Sequence, residues 1–132
     1  MLNAGIRFIY NIHDRNEDLL PYYKKAHILP IEQRVFFKVC LLSYKVVYGF
    51  SPDYLQELVQ LEEPPSVART RSTHVNDKLR LKVPKMSKLK ASNRRFTYHA
   101  PECWNSIPLN IRAIKDISIF KVMLKNHLYD QL

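Results

Sequence analysis

The run from Leu29 to Gly49, LPIEQRVFFKVCLLSYKVVYG, limits the fold more than any other stretch of the chain. It is the longest apolar run, and it carries a helix-boundary signal at each end. Pro30 suits the first helical position, where its missing N–H would have no partner in any case. Gly49 suits the residue just past the end, where a left-handed backbone costs a glycine nothing. Between them Ile31, Val35, Phe36, Phe37, Val39, Cys40, Leu41, Leu42, Tyr44, Val46, Val47 and Tyr48 cover most of the circumference. Only Arg34, Lys38 and Lys45 mark a polar stripe. A helix that is apolar nearly all round belongs in the centre of a domain. A membrane span needs about 18 or more apolar residues with few charges, and three cations inside the run argue against one.

A chain of 132 residues suits a single domain spanning 1–132, large enough for a real core. Only two glycines argue against a loop-rich sandwich or barrel and against a glycine-rich phosphate loop. Cys40 and Cys103 lie in apolar surroundings. A disulfide and a pair of reduced buried thiols both fit that setting, the second suiting an intracellular chain. The start, MLNAGIRFIYNIHD, lacks the basic-then-apolar pattern of a secretory signal and reads as an amphipathic helix. The expectation is a soluble chain, nuclear or cytoplasmic, with no membrane partner.

The net charge of +9 is unevenly placed. Between Arg69 and Arg95 lie ten cations and one acid, Asp77, while the remaining residues carry 11 cations and 11 acids that cancel. One segment therefore holds the whole excess, which makes it a local electrostatic patch.

Along the chain the pattern predicts helices over about 2–63, a basic loop and hairpin over about 66–100, and C-terminal helices over about 101–131. Leu2, Ile6, Ile9 and Tyr10 share helical spacing with Arg7 opposite. Asp14 can cap a second short helix carrying Leu19, Leu20, Tyr22 and Tyr23, which Pro21 kinks or restarts. Ser51-Pro52-Asp53 opens a helix whose buried face is Tyr54, Leu55, Leu58, Val59 and Leu61. Leu79, Leu81 and Val83 alternate with Arg80 and Lys82, as in a half-buried strand with a cationic outer face. Phe96 and Tyr98 alternate in the same way, so the two stretches are expected to pair antiparallel across the loop Lys85–Asn93. Pro101 opens a short helix with Cys103 and Trp104 that Pro108 breaks, and Trp104 reads as a buried anchor. Asn105 and Ser106 read as caps or turn formers. Asp116 or Ser118 caps a last helix with Phe120, Met123, Leu124, His127 and Leu128 on one face. The fold expected is mainly α, a small helical bundle with one two-stranded antiparallel β-hairpin.

Several groups of residues have a familiar order and spacing. These are Leu2-Asn3-Ala4, Arg7-Phe8-Ile9, His27-Ile28-Leu29-Pro30-Ile31, Arg34, Tyr44-Lys45, Gly49 and Pro52-Asp53-Tyr54-Leu55. Later in the chain come Arg94-Arg95-Phe96-Thr97, Ala100, Trp104-Asn105-Ser106-Ile107-Pro108, Ile111-Arg112, Phe120-Lys121, Leu124-Lys125 and Leu128. Together they resemble the C-terminal region of reverse transcriptases from non-LTR retrotransposons of the jockey and CR1 type, over nearly the whole chain. One departure is Ile28, where that family usually has Trp. The resemblance implies a parent protein, an RNA-directed DNA polymerase, whose endonuclease and polymerase parts lie upstream. This chain would then be the tail beyond the polymerase, as a fragment or the product of a truncated element.

No catalytic set emerges from the residues. Two-metal phosphoryl transfer needs carboxylates converging on ions about 4 Å apart, yet the 12 acids are scattered and no Asp-Asp pair occurs. His99 and Cys103 are four apart, but a zinc site needs a second pair of ligands. The segment also lacks the deaminase spacing of H-x-E with a later C-x-x-C. His127 reads as a hydrogen-bonded boundary residue and Cys40 as an inert core thiol. No cofactor and no metal ligand are expected. The expected function is non-catalytic binding of template RNA or target DNA, with phosphate contacts from Arg80, Lys82, Lys85, Lys88, Lys90, Arg94 and Arg95. Tyr98 is placed either to stack on a base or to fill the core. The competing expectation is a docking domain that stabilises the parent polymerase without touching nucleic acid, its basic segment solvated or packed on an acidic neighbour. It predicts an exposed apolar face. A degenerate relic is the third reading.

Overall fold

The computed structural model describes residues 2–62, 79–85 and 95–132. Among these residues the chain is mainly helical, with seven helices: α1 (Leu2–Ile9), α2 (Leu20–Lys25), α3 (Ile31–Val47), α4 (Asp53–Leu58), α5 (Phe96–Ser106), α6 (Leu109–Arg112) and α7 (Ile117–Asp130).

Helix α3 forms where the apolar run predicts, with Pro30 as its N-cap and Gly49 at φ +74° past its end. The Phe50 N–H closes on the Lys45 carbonyl at 2.7 Å, a bond that spans the turn and satisfies a terminal carbonyl. The same closure recurs at α1, where Asn11 is left-handed and Ile12 N–H bonds to Arg7, and at α2, where His27 is left-handed and Ile28 N–H bonds to Tyr23. Of the two caps expected for α7, Asp116 or Ser118, Asp116 is the one used, its carboxylate accepting from the Ser118 and Ile119 amides at 2.7 and 3.2 Å. Asp14 does not cap α2. Its carboxylate accepts from the nearby Asn16 amide, and Asp18 accepts from the Leu20 amide at the helix start.

Two cores result. The smaller gathers Ile6, Ile12, Leu19 and Tyr23 between α1 and α2, with the Tyr23 hydroxyl donating to Asn3. The larger gathers Cys40, Tyr44 and Val46 of α3, Ala100, Cys103 and Trp104 of α5, Ile107, Ile111, and Phe120, Leu124 and Leu128 of α7. At its centre Tyr44 stacks on Phe120 with ring centroids 4.4 Å apart, and Trp104 lies 6.0 Å from Phe120. The Tyr44 hydroxyl donates to the Lys115 carbonyl and that of Tyr48 to the Arg112 carbonyl. These bonds tie α3 to the chain leading into α7, and they give both phenols a partner inside the protein.

The structure departs from the sequence expectation in further places. The expected hairpin is absent among the described residues, because Phe96 and Tyr98 lie in α5. Phe96, Ala100, Cys103, Trp104 and Ile107 in fact follow a helical period, and it runs straight through Pro101. That proline stays inside the helix at the cost of one backbone hydrogen bond. The five alternating residues Arg95–His99 are too few to outweigh that longer pattern. Leu79–Val83 forms no strand pair with Phe96 and Tyr98; its one antiparallel bridge joins Leu81 to Leu61. Accordingly α4 stops at Leu58, and Tyr54, Leu58 and Leu61 are exposed while Val59 is buried. Helix α3 is not buried all round. Ile31, Val35 and Leu42 are 64%, 50% and 41% exposed, on the same side as Arg34 and Lys38. Ile9 and Met123, expected to face inward, are also exposed, and Arg7 instead folds onto the Asp14 and Arg15 carbonyls.

The aromatic centre should dominate stability. Trp104→Ala should cost roughly 3–5 kcal/mol, by lost burial and by the cavity left behind, read from urea unfolding. A loss below about 1 kcal/mol would mean that the centre repacks. Burial raises the titration of the Tyr44 and Tyr48 phenols above their usual 10.0. An acid whose folded value is raised stabilises the fold while both states are protonated, and that contribution is lost as pH rises through the folded value. Alkaline unfolding should therefore begin above about pH 10 and should be delayed in Tyr48→Phe.

Candidate nucleic-acid interface

The described part of the basic segment meets the folded body at Leu79–Lys85, held from one edge by α5 and from the other by Gln60–Glu62. The Trp104 indole N–H donates to the Leu79 carbonyl at 2.6 Å. The Asn105 side chain grips Leu81 by both backbone groups: its amide donates to the Leu81 carbonyl at 2.8 Å, and its carbonyl accepts the Leu81 N–H at 2.9 Å. A primary amide presents a donor and an acceptor side by side, so it can replace one rung of a strand partner. On the opposite edge Glu62 N–H bonds to the Arg80 carbonyl and Lys82 N–H to the Gln60 carbonyl, both at 2.8 Å. Leu81 is buried on the main core, so its neighbours in sequence point away from it.

The alternation expected for this stretch holds at Leu81, with Arg80 and Lys82 turned outward, but Val83 is 45% exposed and adds nothing to the core. The Arg80 guanidinium is engaged by Glu62, Nε to Oε2 at 3.0 Å. Lys82 and Lys85 are exposed. Arg95 is exposed at the N-cap of α5, where its carbonyl accepts from Tyr98 and His99 N–H. Tyr98 is half-buried on that helix. Of the seven candidate phosphate ligands, Lys88, Lys90 and Arg94 lie outside the described residues.

Two participants are missing from the sequence expectation. Asn105 reads there as a cap or turn former, and Glu62 only as part of a helix stop. Asn105 follows the buried Trp104 in a helix, and an amide there has few reasons to sit beside a core residue unless it serves another segment's backbone. That signal is present in the sequence, which already places Trp104 and Asn105 in one helix ahead of Pro108.

Among the described residues no group of three or more His, Cys, Asp or Glu side chains converges as a metal site would require. His99 and Cys103 do approach, with Nε2 and Sγ 3.5 Å apart. Cys40 and Cys103 are both buried in the main core, and burial pushes the Cys40 thiol far up. A cleft of about 380 Å³ between α1, α2 and the start of α3 is lined by Arg7, Glu17, Asp18 and Glu32 among others, and none of the four described candidate phosphate ligands lines it. Among the described residues no helix is long and apolar enough to cross a membrane. No family model, curated protein or solved structure matches the chain.

Asn105→Ala should release Leu81 without disturbing the main core. Leaving two buried backbone groups unsatisfied should cost about 1–3 kcal/mol locally. Hydrogen exchange should show the Leu81 and Lys82 amides losing protection while those of α3 keep theirs. Equal loss in both would mean that the clamp is part of the global fold.

Proposed function

We propose that this chain is a non-catalytic nucleic-acid-binding domain, the tail of a retrotransposon-type reverse transcriptase, that grips template RNA or target DNA through its basic segment. The observation that carries the reading is the concentration of the whole net charge between Arg69 and Arg95, in a segment whose described part is held to α5 at Leu79 and Leu81 by Trp104 and Asn105. Cations spread over a surface favour solubility, whereas cations gathered in one stretch of sequence release counterions from one phosphate backbone together. Arg80 is compatible with this role despite Glu62. An exposed ion pair contributes about 0–1 kcal/mol, so a phosphate can displace the carboxylate at little cost. The order and spacing of residues shared with jockey- and CR1-type proteins support the same reading.

A second reading has one observation in its favour. Ile31, Val35 and Leu42 form an exposed apolar strip on α3, as a domain docked on a parent polymerase would present. It predicts that the isolated chain self-associates and that Val35→Glu with Leu42→Glu abolishes the association.

Titration against labelled single-stranded RNA and duplex DNA at two salt concentrations decides between them. Binding should weaken with salt, with a log–log slope of about −0.7 to −0.9 per phosphate neutralised. Replacing Arg80, Lys82, Arg94 and Arg95 by Ala should shallow that slope and weaken binding roughly ten-fold or more, with an unchanged circular dichroism spectrum. An unchanged dissociation constant in a folded variant would overturn the nucleic-acid reading and leave the docking one.

A further inference from the structure

One face of α3 is left over once the core is complete, and its residues keep a regular spacing. Ile31, Val35, Lys38, Leu42 and Lys45 follow one another at intervals of four, three, four and three. That alternation is the heptad spacing, which sets successive residues on one line along a helix. The line runs on the side away from Cys40, Ser43 and Tyr44, which are buried. Its three apolar members are exposed, Lys38 is exposed and Lys45 is half-buried. It spans two heptads, about 21 Å of helix at about 1.5 Å per residue. Its charge is of one sign. Arg34 adds a third, exposed cation on the flank of the line, and Glu32, the one acid in α3, stands about a quarter-turn away from it. Among the described residues no carboxylate pairs with Arg34, Lys38 or Lys45. We propose that this face of α3 is a docking site for an acidic amphipathic helix of a partner protein, packed along it as in a two-stranded coiled coil.

The occupant follows from the two kinds of residue on the line. Ile31, Val35 and Leu42 call for apolar side chains at matching positions of a second helix. Lys38 and Lys45 interrupt them, and an ammonium pressed against an apolar partner loses its water without compensation. A carboxylate opposite each supplies the counter-charge, and a third meets Arg34 at the rim. A second copy of this chain fits less well. Parallel pairing sets Lys38 on Lys38 and Lys45 on Lys45. Antiparallel pairing about Lys38 brings the two Lys38 side chains together and turns Ile31 toward Lys45. Self-association through this strip is therefore the weaker contact, and the acidic helix displaces it. A nucleic-acid strand would meet the cations but leave the apolar members uncovered.

The proposal rests on the exposed strip that favours the docking reading, and it specifies the partner that reading leaves open. It takes nothing from the basic segment, so it stands whether or not that segment binds nucleic acid.

The test titrates the full chain into a labelled three-heptad peptide with leucine on its apolar line and glutamate at the positions facing Arg34, Lys38 and Lys45. A scrambled peptide of the same composition runs beside it. The patterned peptide should bind roughly ten-fold tighter than the scrambled one or better, and salt should weaken it. Carbodiimide coupling should then link its glutamates to Lys38 and Lys45, as read by mass mapping. Lys38→Glu with Lys45→Glu should weaken binding roughly ten-fold or more and should gain binding to the same peptide carrying lysine in place of glutamate. Replacing Arg80, Lys82, Arg94 and Arg95 by Ala should leave the patterned peptide's affinity in place. No binding, equal binding of the two peptides, cross-links confined to lysines outside α3, or a folded charge-swapped variant that binds as wild type would each overturn the proposal. A chain that self-associates yet ignores the acidic peptide would overturn it too, while leaving the docking reading with an apolar partner. The wild-type comparison of the two peptides decides the matter even if a variant fails to fold.

Discussion

Burial of one indole ring sets most of this structure. Trp104 is wholly enclosed, and its ring is flanked by Phe120 and Tyr44. Each of those three aromatics belongs to a different helix, so a single contact fixes α3, α5 and α7 relative to one another. An enclosed indole also has an N–H that must find an acceptor. It finds one in the Leu79 carbonyl, outside the three helices. The apolar requirement therefore builds the bundle, and the polar remainder of the same side chain recruits the incoming segment. Asn105, the next residue, extends that recruitment to Leu81.

Helices are legible in the sequence where capping chemistry and period agree. The Leu29–Gly49 run marks α3 within a residue or two, Asp116 marks the start of α7, and Trp104 lies inside as expected. Sequence misleads where one local rule is set above a longer pattern. Reading Pro101 as a helix start splits α5 and turns its first turn into a strand. A proline near a helix start forfeits only one bond, and the buried face of Ala100, Cys103 and Trp104 outweighs that loss. The apolar circumference of α3 misleads differently. Hydrophobicity tells which residues can be buried but not how many neighbours exist to bury them, and a chain of this size covers only one side of a 17-residue helix.

The candidate site is legible in outline because charge placement can be counted directly. Its framework is not, because side chain to backbone clamps leave no periodic trace. Asn105 and Leu81 are 24 residues apart, and nothing local in either stretch announces the pairing. Arg80 illustrates the same limit. Its outward direction follows from alternation, but its engagement by Glu62 depends on the bridge between Leu61 and Leu81, which brings two distant stretches side by side.

Trp104 is the only tryptophan in the chain. Its indole is shielded from water, close to the Tyr44 and Phe120 rings, and hydrogen-bonded to the extended stretch beside the core. The protein therefore carries its own optical reporter. Ultraviolet emission from a single, buried fluorophore should be blue-shifted in the intact fold, with tyrosine excitation transferred into it from Tyr44. Its colour and its intensity together would follow the aromatic centre and the docking of Leu79–Lys85 without any label being added.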